Sequence, residues 1–193
     1  MPLLPAEPCL YPENLFSDSP ELAEGVWWVL HTRPRAEKAV ARALLAGRVP
    51  FFLPVYENSR RVRGRLHASH LPLFPGYLFL RADDAGRTRA LETNQIVNCI
   101  RVLDQTLLQE ELAAVHRTMT SGAAIGPIAQ LVPGTSVTIA KGPLTGLTGK
   151  VMRNEKRLTL VVEVRLLNQG VAVEIENWMV EAVPGGIESE SRA

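Results

Sequence analysis

The sequence has few cysteines and no long hydrophobic run, and these two shortages exclude several classes of protein. Its only cysteines, Cys9 and Cys99, form neither the paired spacing of a zinc site nor a disulfide framework, so their usage fits a reducing compartment. No apolar stretch approaches the roughly 20 residues that a membrane span needs. No basic segment precedes an apolar run at the N-terminus, as a secretory signal would require. We therefore expect a cytoplasmic protein with no membrane partner.

Motifs for catalysis and for metal binding are also missing. The glycines of residues 142–149 lack the Gly-Lys-Ser/Thr sequence of a phosphate loop. His67 and His70 are predicted to face opposite sides of a strand, which disfavours a shared metal ion. Ser69 is a chain neighbour of His70, which does not create the geometry of a nucleophile and its base. No pair of carboxylates is framed by apolar residues as an acid–base couple would be. We predict a protein that is not an enzyme and needs no cofactor or metal.

Net charge is almost absent from the whole chain but not from its parts. The 193 residues carry a formal charge of only +1. Residues 1–25 hold five acids and no base, whereas residues 26–118 hold 14 Lys or Arg against 8 Asp or Glu. A basic region beside an acidic one is a hint of a polyanionic partner. A solvated tail beside an ordinary Arg-rich surface would give the same counts.

Proline, glycine and hydrophobic periodicity divide the chain into regions. Residues 1–25 are rich in Pro, Glu and Ser and predict a disordered acidic tail. Residues 26–120 show the order β-α-β-β-β-α-β-α, which predicts an α+β domain, a helix-backed and mostly antiparallel plait. Residues 121–131 contain Gly and Pro and predict a linker. Residues 132–183 hold five short strand-like runs, which predict a small five-stranded β-barrel. Residues 184–193 predict a flexible tail.

Two motifs, one in each large region, carry a resemblance to known families. Residues 132–151 read as a strand, a glycine–proline turn and a second strand, and they resemble a KOW motif, whose end matches residues 173–181. In the first region, Trp-Trp-Val-Leu-His-Thr at 27–32, a helix that contains Glu37, and Leu-Phe-Pro-Gly-Tyr-Leu-Phe-Leu at 73–80 resemble the N-terminal domain of the NusG family. The combination resembles a NusG protein, in which that domain is joined by a linker to one KOW barrel.

The resemblance implies a function in transcription. NusG-like N-terminal domains bind the coiled-coil clamp helices of the largest subunit of bacterial RNA polymerase through an apolar depression. The matching positions, which we predict to bind polymerase, are His31, Phe74, Pro75, Tyr77, Phe79 and Ile100. Because side chains alternate along a strand, Tyr77 and Phe79 share one face of the sheet. If the other face carries the helices, these two aromatics form an exposed patch, unless the hairpin or the last helix covers them.

The resemblance also implies surfaces near the non-template strand and the upstream DNA. Arginine suits phosphate because its donors form a rigid fork. The candidate nucleic-acid-binding residues are Arg33, Arg35, Lys38 and Arg42 along the first helix, Arg60, Arg61, Arg63 and Arg65 in the predicted hairpin, and Asn94 in a loop. A solvated basic face remains the alternative for any one of these arginines.

The predicted barrel resembles modules that bind a small-subunit ribosomal protein or the termination factor Rho. The loop implied to make that contact contains Leu166, Leu167, Asn168 and Gln169. General NusG proteins usually carry Phe-Gly-Arg where this chain has Leu-Asn-Gln. We therefore expect a monomeric elongation or antitermination factor that suppresses pausing or termination, either a general NusG protein or a specialised RfaH-like paralogue. The alternative is a KOW-containing RNA-binding protein of the ribosome.

Overall fold

The computed structural model describes residues 8–17, 25–62, 65–128, 134–154, 157–175 and 179–182. By its contacts the chain divides into two compact units, Met1–Ala113 and Ala114–Ala193. The first unit mixes helices with antiparallel strands and the second is mainly β, so the predicted α+β class is confirmed. Among the helices in the described ranges, none combines the length and hydropathy that a membrane crossing requires.

The first unit is organised around a five-stranded antiparallel sheet with the strand order β1-β3-β6-β2-β7, and a separate hairpin pairs β4 with β5. In chain order its elements are β1 (Leu10–Tyr11), β2 (Val26–Thr32), α1 (Glu37–Ala46), β3 (Phe51–Phe52), β4 (Val55–Val62), β5 (Arg65–Pro72), β6 (Tyr77–Ala82), α2 (Asp84–Glu92), β7 (Ile96–Arg101) and α3 (Gln105–Thr120), which continues into the second unit. Strands β3 and β4 are separate elements, because Pro54 between them lacks the N–H that a continuous ladder needs.

Helices α1 and α2 pack against one face of this sheet. Alternation along β6 directs Leu78 and Leu80 to that face. Both leucines are fully buried in a cluster with Val40 and Leu44 of α1 and Ala90 of α2. Burial of each such side chain stabilises the fold by about 1.5–3 kcal/mol. This apolar layer fixes which side chains of β6 point the other way.

Part of the predicted N-terminal tail is folded onto the sheet. Strand β1 pairs with β3, where Leu10 lies opposite Phe52, and the Leu53 N–H donates a hydrogen bond to the Cys9 carbonyl at 2.7 Å. Leu15 is fully buried. The sequence predicts disorder throughout residues 1–25, but residues 8–17 are folded, with Leu15 buried and Leu10, Tyr11 and Phe16 half-buried. We call residues 8–17 the strap; residues 1–7 and 18–24 lie outside the described part of the chain.

The second unit contains one antiparallel sheet with the order β13-β9-β10-β11-β12-β8. Its strands are β8 (Ile125–Ile128), β9 (Thr135–Ile139), β10 (Thr148–Asn154), β11 (Arg157–Val164), β12 (Gln169–Ile175) and β13 (Val180–Ala182). The five strands predicted after residue 132 are present. Strand β8 lies in the predicted linker instead, with Pro127 opposite Val171, and proline is tolerated there because β8 is an edge strand. Residues 129–133 and the predicted tail at 184–193 lie outside the described residues.

The apolar residues of β11 and β12 form the core of this second sheet. Leu160 lies opposite Val173, and Val162 lies opposite Val171, and all four are almost completely buried. Gly149 in the KOW-like motif sits beside this ladder, where an added Cβ would lie 2.5 Å from the Val161 carbonyl oxygen. Only glycine fits that position without a shift of the backbone.

Candidate functional site

Strand register brings the predicted polymerase-binding residues together on the sheet face opposite α1 and α2. Directly opposed residues of antiparallel strands share a face. Phe79 of β6 lies opposite Val29 of β2, which lies opposite Ile100 of β7. In the next row Tyr77 lies opposite His31. Their two rings are stacked with centroids 5.1 Å apart and planes inclined by 24°. We call this face of the sheet, which carries Tyr77, His31, Phe79, Val29 and Ile100, the aromatic face.

The aromatic face is accessible only in part. Tyr77, His31 and Ile100 are half-buried, whereas Phe79 is fully buried. The Phe79 ring meets the ring of Phe74 edge-on, with centroids 5.8 Å apart. The expectation that Tyr77 and Phe79 are both exposed is therefore wrong for Phe79. Phe74 is buried as well, so these two phenylalanines support the accessible residues from beneath, while the adjoining Pro75 is exposed.

The strap closes one end of the aromatic face, a role that the sequence did not reveal. The Phe16 ring lies edge-on to Phe52 at 5.0 Å and is stacked on Trp27 at 6.0 Å between centroids. Arg81, which lies opposite Trp27, donates from Nη1 to the Leu15 carbonyl at 3.5 Å. The only available signal was a cluster of apolar residues in a segment otherwise rich in proline and acid. The last helix, one of the two covers expected from sequence, also contacts this end of the face, because Trp27 Nε1 donates a hydrogen bond to Gln109 Oε1 of α3 at 2.6 Å.

A buried carboxylate fixes the turn that carries Phe74 and Pro75. Glu37, in the first turn of α1, is only 6% exposed and accepts a hydrogen bond from the Gly76 N–H at 2.7 Å. The Gly76 carbonyl accepts from the Thr32 N–H at 2.8 Å. Gly76 has a φ of +84°, a conformation that favours glycine. Glu37 therefore positions the turn beside β2; the sequence placed it in the right helix without showing this contact.

The loops before α1 and after α2 bring three of the predicted nucleic-acid-binding residues, Arg33, Arg35 and Asn94, into one region. The Arg33 N–H donates to the Gln95 carbonyl at 2.8 Å, which joins the two loops. Asn94, next to Gln95, is exposed and has a φ of +56°. Arg33 and Arg35 are exposed on the facing loop. On α1, Lys38 is half-buried and Arg42 is exposed. This end of the unit therefore presents a basic surface.

The predicted arginines of the hairpin are described only by their backbone. Strands β4 and β5 pair with Arg60 opposite His67 and Arg61 opposite Leu66. The side chains of Arg60, Arg61 and Arg65 lie outside what the structure describes, and so does Arg63 entirely.

In the second unit, the predicted partner-binding loop forms a short turn between β11 and β12. Residues Arg165–Leu167 make one 3-10 turn, and Asn168 follows in the left-handed conformation with a φ of +52°. Leu166 is 46% exposed and Asn168 is exposed, whereas Leu167 and Gln169 are half-buried. The turn therefore presents an apolar side chain to solvent.

Comparison with known proteins identifies the first unit. A family model described as "Transcription termination factor nusG" matches residues 25–119. That range contains the aromatic face, the Glu37–Gly76 contact and both loops at the basic end. Over residues 25–119 the chain belongs to the NusG family. Members of the NusG family are non-enzymatic transcription factors that bind RNA polymerase, and this chain is a transcription factor of the elongation and regulation class.

Solved structures similar to this NusG-family chain include two described as "Domain interaction in Thermotoga maritima NusG" and "Crystal Structure of MjSpt4:Spt5 complex conformation A". The first is 15% identical, with a TM-score of 0.47, and the match covers 84% of this chain and 99% of that one. The second is 16% identical, with a TM-score of 0.29, and the match covers 81% and 97%. A search of curated proteins found no match. Within the described ranges, no three His, Cys, Asp or Glu side chains are grouped closely enough to hold a metal ion.

Proposed function

We propose that this protein is an elongation and antitermination factor that binds the clamp helices of the largest subunit of bacterial RNA polymerase and suppresses pausing or termination. The observation that carries the proposal is the accessible part of the aromatic face, where Tyr77 stacks on His31 beside Ile100. Aromatic side chains held rigidly at a surface are the usual anchors of protein interfaces. Residues 26–120 are the polymerase-binding domain in this proposal.

The support beneath the surface makes this face suitable for a rigid partner. Phe74 and Phe79 are buried under the accessible residues, and Glu37 holds the turn that places Pro75 at the rim. Little side-chain entropy is then lost when a partner helix packs against the Tyr77 ring. The strap covers the Trp27 end of the aromatic face, so the proposed contact lies at the opposite end, around Tyr77.

Such binding would affect transcription without catalysing a reaction. A factor that bridges the clamp across the DNA cleft and binds the active polymerase more tightly than the paused one shifts the population toward elongation. No bond is made or broken, and no cofactor is required. The protein would act as a monomer in the cytoplasm, with polymerase as its main partner.

Nucleic acid would contribute a second set of contacts. Arg33, Arg35 and Asn94 are exposed together at the basic end and suit the phosphates of the non-template strand or the upstream DNA. Lys38 and Arg42 of α1 would extend this surface, and the hairpin arginines are further candidates for DNA contact in the proposal. Affinity from such contacts falls as salt rises and depends little on sequence.

The second unit would bind a further partner through the turn that exposes Leu166. A small-subunit ribosomal protein and Rho are the two candidates. A general NusG protein and an operon-specific paralogue would differ in this partner and in the effect on termination. A ribosome-bound RNA-binding protein, the alternative function, would bind RNA in the absence of polymerase.

The test is binding of the purified full chain to purified RNA polymerase, followed by a pausing assay on a defined template. Tyr77→Ala is expected to weaken polymerase binding by about 2 kcal/mol or more, as for an interface anchor. Leu91→Ala removes an exposed apolar side chain from α2, on the opposite side of the sheet, and is the control. Equal binding of wild type and Tyr77→Ala would refute the proposed contact.

A further inference from the structure

A basic recess lies beside the C-terminal end of α1, whereas the loops that carry Arg33 and Asn94 lie near its N-terminal end. It has a volume of about 310 Å³, and its charged lining residues are Arg48, Arg81, Arg89 and Asp83. Helix α1 has ten residues and is therefore about 15 Å long, which separates this recess from the basic end described above. Apart from Arg81, whose guanidinium contacts the strap, the charged lining residues belong to no contact described above.

Charge in the recess is unbalanced. The Asp83 carboxylate is already engaged, because its Oδ1 accepts the Gly86 N–H at 2.8 Å and caps α2. Arg89 is oriented by donating from Nη1 to the Gly47 carbonyl at 3.3 Å. In the described part of the chain, neither Arg48 nor Arg89 has a carboxylate within salt-bridge distance. Arg81 also borders the recess, but its guanidinium donates to the Leu15 carbonyl and to Gln109 Oε1. The guanidinium groups of Arg48 and Arg89 therefore carry the positive charge that is available to a ligand.

Arg48 reaches the recess from an unfavourable backbone conformation. Its φ is +51°, in the left-handed region, directly after the end of α1. The chain is held there because the Arg48 N–H donates to the Leu45 carbonyl at 3.0 Å and the Val49 N–H to the Leu44 carbonyl at 2.9 Å. Glycine is the usual residue at such a helix end. Strained residues of this kind cluster at ligand sites, where the side chain serves a purpose.

We propose that this recess is a phosphate-binding site. The arginine forks match the oxygen geometry of a phosphate. The phosphate would come from a nucleic-acid backbone or from a free nucleotide. The site goes beyond the proposed polymerase contact and does not depend on it.

The test uses the full chain and variants that lose charge without losing the fold. Arg48→Gly removes a guanidinium and puts the favoured residue in the left-handed position, so its Tm is expected to equal or exceed that of wild type. Arg89→Gln removes the second guanidinium. Arg117→Gln, an exposed arginine on α3, is the control with the same loss of charge.

Two probes distinguish the sources of phosphate: ATP measured by calorimetry, and a short DNA duplex measured by fluorescence anisotropy over a range of salt. The double variant Arg48→Gly with Arg89→Gln is expected to bind at least one probe about tenfold more weakly than wild type, as for lost charge-assisted hydrogen bonds. Loss of ATP binding identifies a nucleotide site, and loss confined to DNA identifies a backbone site. If wild type binds neither probe, or if the double variant matches Arg117→Gln with both, the recess is not a phosphate site.

Discussion

The two faces of the five-stranded sheet are built from alternate residues of the same strands, yet they differ in how far their side chains are buried. On one face Leu78 and Leu80 are sealed beneath α1 and α2. On the other, Phe79 is sealed while its neighbour Tyr77 remains accessible. Helices α1 and α2 bury the leucines of the first face, whereas the second face is covered by the strap and α3 at the Trp27 end and by the Phe74 ring at Phe79. Alternate residues of one strand thus stabilise the fold on one side of the sheet and leave an accessible surface on the other.

The largest effect is expected on the helix face. Leu80→Ala removes a fully buried side chain and is expected to lower the free energy of unfolding by about 2–5 kcal/mol, measured by chemical denaturation. The folded fraction should still bind polymerase with wild-type affinity, because Leu80 points away from the aromatic face. A selective loss of polymerase binding at unchanged stability would reverse the proposed assignment of the two faces.

A smaller effect is expected where the two faces are connected by the turn at Gly76. Glu37→Ala leaves the Gly76 N–H without its acceptor, which is expected to cost about 1–3 kcal/mol of stability. Displacement of Pro75 should then weaken polymerase binding as well. Glu37→Gln keeps a side-chain carbonyl at the same reach and is expected to restore most of both properties. Equal behaviour of the two variants would show that the hydrogen bond does not position the turn.

The boundary of the aromatic face depends on the strap. Phe16→Ala removes a half-buried ring with two aromatic neighbours, and each such pair contributes about 0.5–1.5 kcal/mol beyond its buried area. We expect a drop in thermal stability of that order and an enlarged apolar surface, detected by increased fluorescence of a hydrophobic dye. Ser17→Ala changes an exposed neighbour and serves as the control. Unchanged dye binding in Phe16→Ala would mean that the strap does not limit this surface.

Features that depend on residues close in sequence were predictable, whereas features that depend on contacts between distant segments were not. Alternation and helical periodicity depend on near neighbours, so β6, α1 and the shared face of Tyr77 and Phe79 were predictable from sequence. Burial of Phe79 depends on a ring contributed by the turn at Phe74 and on strand pairing with β3. These contacts join distant parts of the chain, and a local pattern does not encode them.

The strap was not predicted for the same reason, and the composition of its segment also suggested disorder. Proline and acidic residues dominate residues 1–25, and they outweighed Leu10, Leu15 and Phe16 in the prediction of disorder. A short strand needs few residues when its partner edge and an apolar groove already exist. The recess at Arg48 was equally hidden, because its arginines come from three separate segments and a helix end with unusual backbone angles.

The smallest effect expected is a change in the reactivity of Cys9, which reports whether the strap stays docked. Burial raises the pKa of the Cys9 thiol above its ordinary value of 9.0. Since the thiolate is the reactive form, Cys9 should be alkylated more slowly in the native chain than in the unfolded chain at any pH below that value.

Iodoacetamide labelling in a Cys99→Ser background isolates Cys9, because the chain has no other cysteine. Phe16→Ala is expected to speed the labelling of Cys9 by a few-fold, since loosening the strap exposes the thiol and lowers its pKa toward the ordinary value. The same raised pKa means that the contribution of docked Cys9 to stability is present below pH 9.0 and declines as the pH rises through the folded pKa. Native Cys9 that reacts as fast as unfolded Cys9 would show that the strap is undocked most of the time, and the accessible aromatic face would then extend to Phe52 and Trp27.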